Sequence, residues 1–465
     1  MRIKIFQIIS IMVAAVTISV MIGCNNATEE PVSSSEASSS QAPSTDFAGG
    51  TIVIASWVDP EPKLGLSAGQ DAQYYALEQA KERYNCKIEY KINVLNDHVS
   101  KIISNSLSGI VYADIFMAHS WNHVGLINQD ILIQTDKYLE AMTEAERKHW
   151  TTDMCSLKGH YYGLHPKSDI VLPTQNLFYN RTIPSELGLQ DPQELALQGA
   201  WNWDKFKEYC IAATDAAKNR YGAAIYNLDA VLGGANGVQT VVYDETDKKY
   251  YNGFTHTDAK EKNLAVVEFL QSLSQQGAML GFWPQGAEAM DEAENAMLDG
   301  QVLFTFAQNG ERLKSFGMEN FGVVTAPVAD FNTSRTLYNT TASYVYWAIP
   351  TKTTFPADDL AEFWIYANTT WDETRGDAYY EFDLDEYKEY LLSTHYTDMK
   401  DVDFLLAMKE GVVEIPSLDL AVSLGSLVAR DIFVEVISGN MTPSAAIATV
   451  DNQIQAKIDE ALNTN

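Results

Sequence analysis

Cysteine is scarce in this chain: there are four, Cys24, Cys86, Cys155 and Cys210, and no two form a Cys-x-x-Cys pair. That spacing is no disulfide framework; with Cys24 set aside, one bridge or three buried thiols both remain open. Basic residues are few, 32 against 62 acidic ones, for a formal net charge of −30. Such a surface repels phosphates, so nucleic acid and anionic lipid headgroups are excluded as main partners. No phosphate-cradling glycine loop occurs. His119 and His123 stand four apart, with His160 and His165 further on, but no H-E-x-x-H glutamate accompanies them, so no metal site is expected. Gly65–Gly69 spells G-x-S-x-G around Ser67. A nucleophile elbow needs a strand running straight into the serine, and Pro60 and Pro62 interrupt the approach. The acidic stretches "DEAENAMLD" and "EFDLDEYKEY" read as solvated helical faces, the second lacking the central glycine of an EF-hand loop. No cofactor is expected.

Long apolar runs are also lacking, except for one at the start. Arg2 and Lys4 precede an apolar segment from Ile5 to Ile22, which barely reaches the roughly 20 residues of a bilayer span. A basic start, an apolar middle and a small residue before a cut form the secretory signal pattern. Here Gly23 stands directly before Cys24, and "MIGC" resembles a bacterial lipobox, with Met21 where that pattern prefers leucine. The resemblance implies a signal peptide over 1–23 and a lipid on Cys24. Residues 24–46 are rich in serine and acidic residues and offer almost nothing to bury, so they are expected to be a disordered tether. About 20 such residues reach on the order of 25 Å. A leash of this kind fits a single-membrane, Gram-positive bacterium.

The roughly 420 residues beyond the tether exceed the ~250–300 at which one core stops growing, so two domains are expected. Thr51 to Trp57 is β-branched and apolar between glycines and Asp59-Pro60, and reads as a buried strand. A helix over 71–85, a strand "CKIEYKINV", a helix over 97–108 and a strand "ADIFMAHS" follow. This alternation signals βαβ units with a parallel sheet, in which ligands bind beyond the carboxyl ends of the strands. Trp57 ends the first strand and Trp121 follows the third. The spacing further predicts helices opened by Asn202 or by Trp203-Asp204, over 258–277 and over 286–299, and a last helix capped by Thr442 and started by Pro443.

Several segments in order carry a resemblance: "YYGLHP" with "LFYN" (Tyr161–Asn180), "WNWDKF" (Trp201–Phe206), "AMLDGQVLFTF" (Ala296–Phe306), "FGVVTAPV" (Phe321–Val328), "YWAIPTKTTFPADDLAEFWIY" (Tyr346–Tyr366) and "GNMTPSAAI" (Gly439–Ile447). Together with the lipobox, the chain resembles the extracellular solute-binding lipoproteins of ABC importers, of the carbohydrate-uptake type that includes maltose-binding protein. That resemblance implies an α/β, two-lobed, periplasmic-binding-protein-like fold with a hinge and a ligand cleft between lobes. It places lobe 1 at 47–174 plus 329–375 and lobe 2 at 175–328 plus 376–465. It implies a non-enzymatic, monomeric receptor outside the cytoplasmic membrane, handing a mono- or oligosaccharide to ABC permease subunits. A lipid-anchored glycoside hydrolase is the alternative, although no motif singles out a carboxylate pair.

Sugars present fans of hydroxyls and apolar C–H faces, so they are held by polar side chains over aromatic rings. The candidate ligand-binding residues are Trp57, Asp59, Trp121, Asn122, Trp283, Asn309, Arg312, Tyr344 and Trp347. Asp59 also fits an Asp-Pro turn, and Trp347 also fits a core position. Asn309 and Arg312 stand where many sugar binders have an aromatic. Trp201, Trp203, Trp364 and Trp371 read as packing residues.

Overall fold

The computed structural model describes residues 45–64, 68–147, 150–151, 155–166, 172–224, 229–280, 287–306, 310–339, 345–414 and 434–463. Eight strands build its two larger sheets: β1 Thr51–Ser56, β2 Lys87–Ile92, β3 Ile115–His119, β4 Asn176–Asn180, β5 Tyr221–Ala224, β6 Val302–Phe306, β7 Phe321–Thr325 and β8 Val345–Ala348. The principal helices are α1 Ala68–Arg83, α2 Leu95–Leu107, α3 Trp203–Ala213, α4 Thr257–Gln275, α5 Ala287–Leu298, α6 Ala357–Thr394, α7 Met399–Met408 and α8 Pro443–Leu462.

The first sheet runs β8-β3-β1-β2. β1 pairs parallel with β2 and β3, and β8 closes the edge antiparallel to β3. Side chains alternate across β1 as a strand requires. Ile52 and Ile54 meet Ala80 of α1, Tyr84 just after that helix, and Leu360, Ala361 and Phe363 of α6. Ala55 enters a second layer with Ile102 of α2, Phe116, Ala118 and Tyr346. Helices therefore cover both faces. Buried Asp114 fixes the start of β3: its carboxylate accepts Val53 N–H at 2.9 Å and Thr354 N–H at 2.6 Å.

The second sheet runs β7-β4-β6-β5, with β4 antiparallel to both neighbours and β6 parallel to β5. Every residue of β6 and β7 is buried, which is why both read as unbroken apolar runs. Asn202 caps α3 by accepting Lys205 N–H at 2.9 Å, and the helix buries Trp203, Phe206, Tyr209, Cys210 and Ala213. α3 lies so close to β5 that a Cβ on Gly222 would stand 2.3 Å from Cys210 Cα, so only glycine fits there. Trp201, Trp203 and Trp364 are all buried packing residues; the side chain of Trp371 lies outside the described set. Cys86, Cys155 and Cys210 are buried, and none is in a disulfide among the described residues. Among the described residues, no helix is long and apolar enough to cross a membrane.

Two elements join the sheets. α6 is a single 38-residue helix, far longer than the segment its apolar pattern announced. Its first turns bury Leu360, Phe363 and Trp364 in the first core, while Leu391 near its end is buried in the second. α8 starts as expected, with Thr442 Oγ1 accepting Ala445 N–H and Pro443 in first position. Its far end packs Ile458 and Leu462 against Val124 and Leu157 of the first lobe and Val241 and Tyr250 of the second. The chain enters the first lobe at Thr45, whose hydroxyl donates to Asp359 at 2.8 Å, and at Phe47, whose ring meets Phe355 edge-on.

The second lobe is pinned by a buried carboxylate. Asp401 on α7 is fully buried; it accepts Arg181 at 2.8 Å, Gln193 Nε2 at 2.6 Å and Val323 N–H at 3.0 Å. Removing one partner of such a group strands the others, so Asp401→Ala is expected to cost about 3–5 kcal/mol in urea unfolding. In the first lobe, buried His123 meets the Tyr346 hydroxyl through Nδ1 at 2.6 Å, and burial pushes its imidazole down to about 4 from an ordinary 6.5. Below pH 6.5 the unfolded chain takes up a proton there that the folded chain refuses. Stability therefore falls as pH drops from 6.5 towards 4, by at most about 1.4 kcal/mol per pH unit for this histidine. His123→Asn, which keeps a polar group near the Nδ1 position, is expected to flatten that decline in urea midpoints measured at pH 6.5, 5.5 and 4.5.

Candidate functional site

The parallel ladder of β1 and β3 ends both strands at the same edge, and the residues just beyond them converge. Trp57 follows β1 and is partly buried; Trp121 lies in the short turn Ser120–Asn122 after β3 and is 41% exposed. Between them stands His119, the last residue of β3. Its ring lies 4.2 Å from the Trp121 ring and 6.0 Å from the Trp57 ring. A second histidine, His98 in the first turn of α2, meets Trp57 edge-on at 5.5 Å. The result is an aromatic cluster with one broad indole facing outward.

The backbone fixes the protonation of both imidazoles. His98 Nε2 lies 2.8 Å from Met117 O, and a carbonyl only accepts, so Nε2 carries the hydrogen and Nδ1 is a bare lone pair. His119 Nδ1 accepts Trp121 N–H at 3.2 Å, which leaves the hydrogen on Nε2. Burial holds His98 below its ordinary value and pushes His119 to about 4, so both are neutral at pH 7. His98 Nδ1 and His119 Nε2 are buried and, among the described residues, have no hydrogen-bond partner.

The other sequence candidates are distributed differently. Asn122 adjoins Trp121, and its side chain does not cap the helix that follows. Asp59 lies in the exposed loop after β1, where it accepts Lys63 Nζ at 2.5 Å and Glu61 N–H at 3.2 Å; the Lys63 ammonium holds its carboxyl below the usual range. The Asp-Pro turn role thus occupies both its oxygens. Trp347 on β8 packs against Trp364 of α6, ring centroids 5.1 Å apart, on the helix-covered face of the sheet and away from the Trp57 cluster. Arg312, in the second lobe, is paired with Asp291 and with buried Glu294, the latter at 2.9 Å, and lies over Phe316. Trp283, Asn309 and Tyr344 lie outside the described residues, as does Cys24. So Trp57, Trp121 and Asn122 come together, while Trp347 and Arg312 do not join them.

By spacing, the sequence sets His119 beside His123, with His160 and His165 further on, as a conceivable metal cluster. The two diverge: His119 lies between tryptophans and His123 turns to Tyr346. Among the described residues no three His, Cys, Asp or Glu gather as a metal site. The position of His119 at a strand's carboxyl end, two residues before Trp121, was an available signal; nothing in the sequence ties His98 to Trp57.

No family model matches the sequence, and no curated protein matches it. Solved structures do. The sugar-binding protein MalE from Xanthomonas citri aligns at TM-score 0.59 and 14% identity, over 88% of this chain and 98% of its own. A cyclic alpha-maltosyl-1,6-maltose binding protein from Arthrobacter globiformis aligns at 0.58 and 12%, over 88% and 99%. An ABC substrate-binding protein from Listeria monocytogenes, in complex with cycloalternan, aligns at 0.54 and 13%, over 90% and 100%. At such identities the likeness is one of fold, and nearly the whole of each chain takes part: this protein has the two-lobed α/β fold of the ABC sugar-binding proteins.

Proposed function

We propose that this chain is the substrate-binding component of an ABC importer, a monomer that captures a sugar or oligosaccharide between its lobes and delivers it to the permease. The observation that carries the reading is the gathering of Trp57 and Trp121 at the carboxyl edge of the first sheet, in a fold shared with sugar-binding proteins. Indole faces match the apolar C–H faces of a pyranose, and Asn122 beside them offers an amide to a hydroxyl. Capture proceeds by hinge closure of the two lobes. Cys24 carries the lipid that holds the receptor at the outer face of the cytoplasmic membrane, and residues 24–46 form the leash.

Thermal unfolding against a glycan panel tests the receptor reading. A sugar at 100 times its Kd is expected to add about 2.7 kcal/mol of stability. Trp57→Ala with Trp121→Ala should abolish the shift, and a full shift in that double variant would discard the site. Sugars recovered unchanged after incubation support a receptor; cleaved sugars would return the glycosidase alternative. For the anchor, Cys24→Ser should move the protein from the detergent phase to the aqueous phase in phase partitioning of cell extracts, and unchanged partitioning would refute the lipid.

A further inference from the structure

Two imidazoles of opposite hydrogen-bonding character flank one indole, with ring centroids 5.5 and 6.0 Å from Trp57. Among the described residues, His98 Nδ1 is a lone pair without a donor, because Nε2–H is spent on Met117 O. Among them too, His119 Nε2–H is a donor without an acceptor, because Nδ1 is spent on Trp121 N–H. Both side chains are almost wholly buried, at 0% and 1% exposure. An unsatisfied buried donor or acceptor is costly, and two beside one tryptophan at a cleft edge call for an outside group.

We infer that His98 and His119 together read a ligand hydroxyl beside Trp57, the hydroxyl donating to His98 Nδ1 and accepting from His119 Nε2–H. A hydroxyl is the simplest ligand group that does both. A carboxylate only accepts and would face the His98 lone pair; an ammonium only donates and would face the His119 N–H. The pair therefore selects neutral polyhydroxy ligands over sugar acids and amino sugars at this position. The inference rests on the sugar-receptor reading and names the atoms by which that cleft sorts its ligands. Trp121, 41% exposed, lies on the solvent side of this pair, its ring 4.2 Å from that of His119.

The test uses the full chain with maltose, maltotriose, lacto-N-biose and mannitol as probes. His98→Gln keeps a donor for Met117 O and moves its acceptor away from the Nδ1 position; His119→Asn keeps an acceptor for Trp121 N–H and moves its donor away from the Nε2 position. Each variant is expected to bind the best probe about three- to tenfold more weakly by calorimetry, with an unchanged ligand-free Tm. In wild-type protein labelled with 15N-histidine, His98 Nδ1 and His119 Nε2 should both shift when that probe is added. Nitrogens that stay fixed while the probe binds, or two variants that bind as tightly as wild type, overturn the pairing and leave the receptor reading intact. A wild-type chain that binds none of the four probes overturns the receptor reading, and the pairing with it.

Discussion

In the first sheet Ile54 pairs with Ile115 and Ala55 with Phe116 across a parallel ladder, and that register decides where the aromatic residues go. Because β1 and β3 run the same way, the residues that leave them emerge side by side at one edge. Shifting the register by one residue would exchange the two faces of β1, moving Ile52 and Ile54 out of the core they share with α1 and α6 and into the layer that Ala55 now occupies. The cluster of Trp57, His98, His119 and Trp121 is thus a product of core packing. The apolar residues that hold the strands in place set the position of the polar atoms at their ends.

A second constraint is continuity between the lobes. The second lobe has its own core of aromatic residues around Trp201, Phe206 and Phe304, and the first has two thinner layers around its sheet. α6 is buried in both, at opposite ends of one unbroken rod. A second bridge forms where the end of α8 meets both lobes, with the Tyr250 hydroxyl accepting Lys158 N–H at 3.0 Å and Asn128 Nδ2 donating to Ala461 O. Relative movement of the lobes must therefore bend or tilt a helix and slide an apolar contact, and both raise the barrier to arbitrary motion.

Much of this was legible in the sequence. The run Thr51–Trp57 and the caps at Asn202 and Thr442 are local signals, and the structure carries them nearly residue for residue. Trp57 and Trp121 could be placed at a ligand edge because strand alternation and parallel topology are visible in spacing. The partners of those tryptophans were not visible. His98 reaches Trp57 only because α2 packs back across the sheet, a tertiary fact with no sequence spacing attached. Arg312 looked available because Asp291 and Glu294 stand on a different helix. Trp347 turns to α6 because the register pairs it with Met117, on the face where Ile115 meets Leu360 and Trp364.

The entry of the chain at Thr45 and Phe47 has a mechanical consequence. Any pull on the segment before Thr45 first meets the hydroxyl held by Asp359 and the Phe47 ring wedged among Tyr84, Phe355 and Phe363. Beyond that clamp the load passes along β1, whose six residues are in register with β2 from Thr51 to Ser56. Parallel ladder bonds are evenly spaced and slanted between the strands, so they would share the load in shear instead of opening one after another. Trp57 sits at the far end of that strand, and it is the last residue of β1's path to feel the strain.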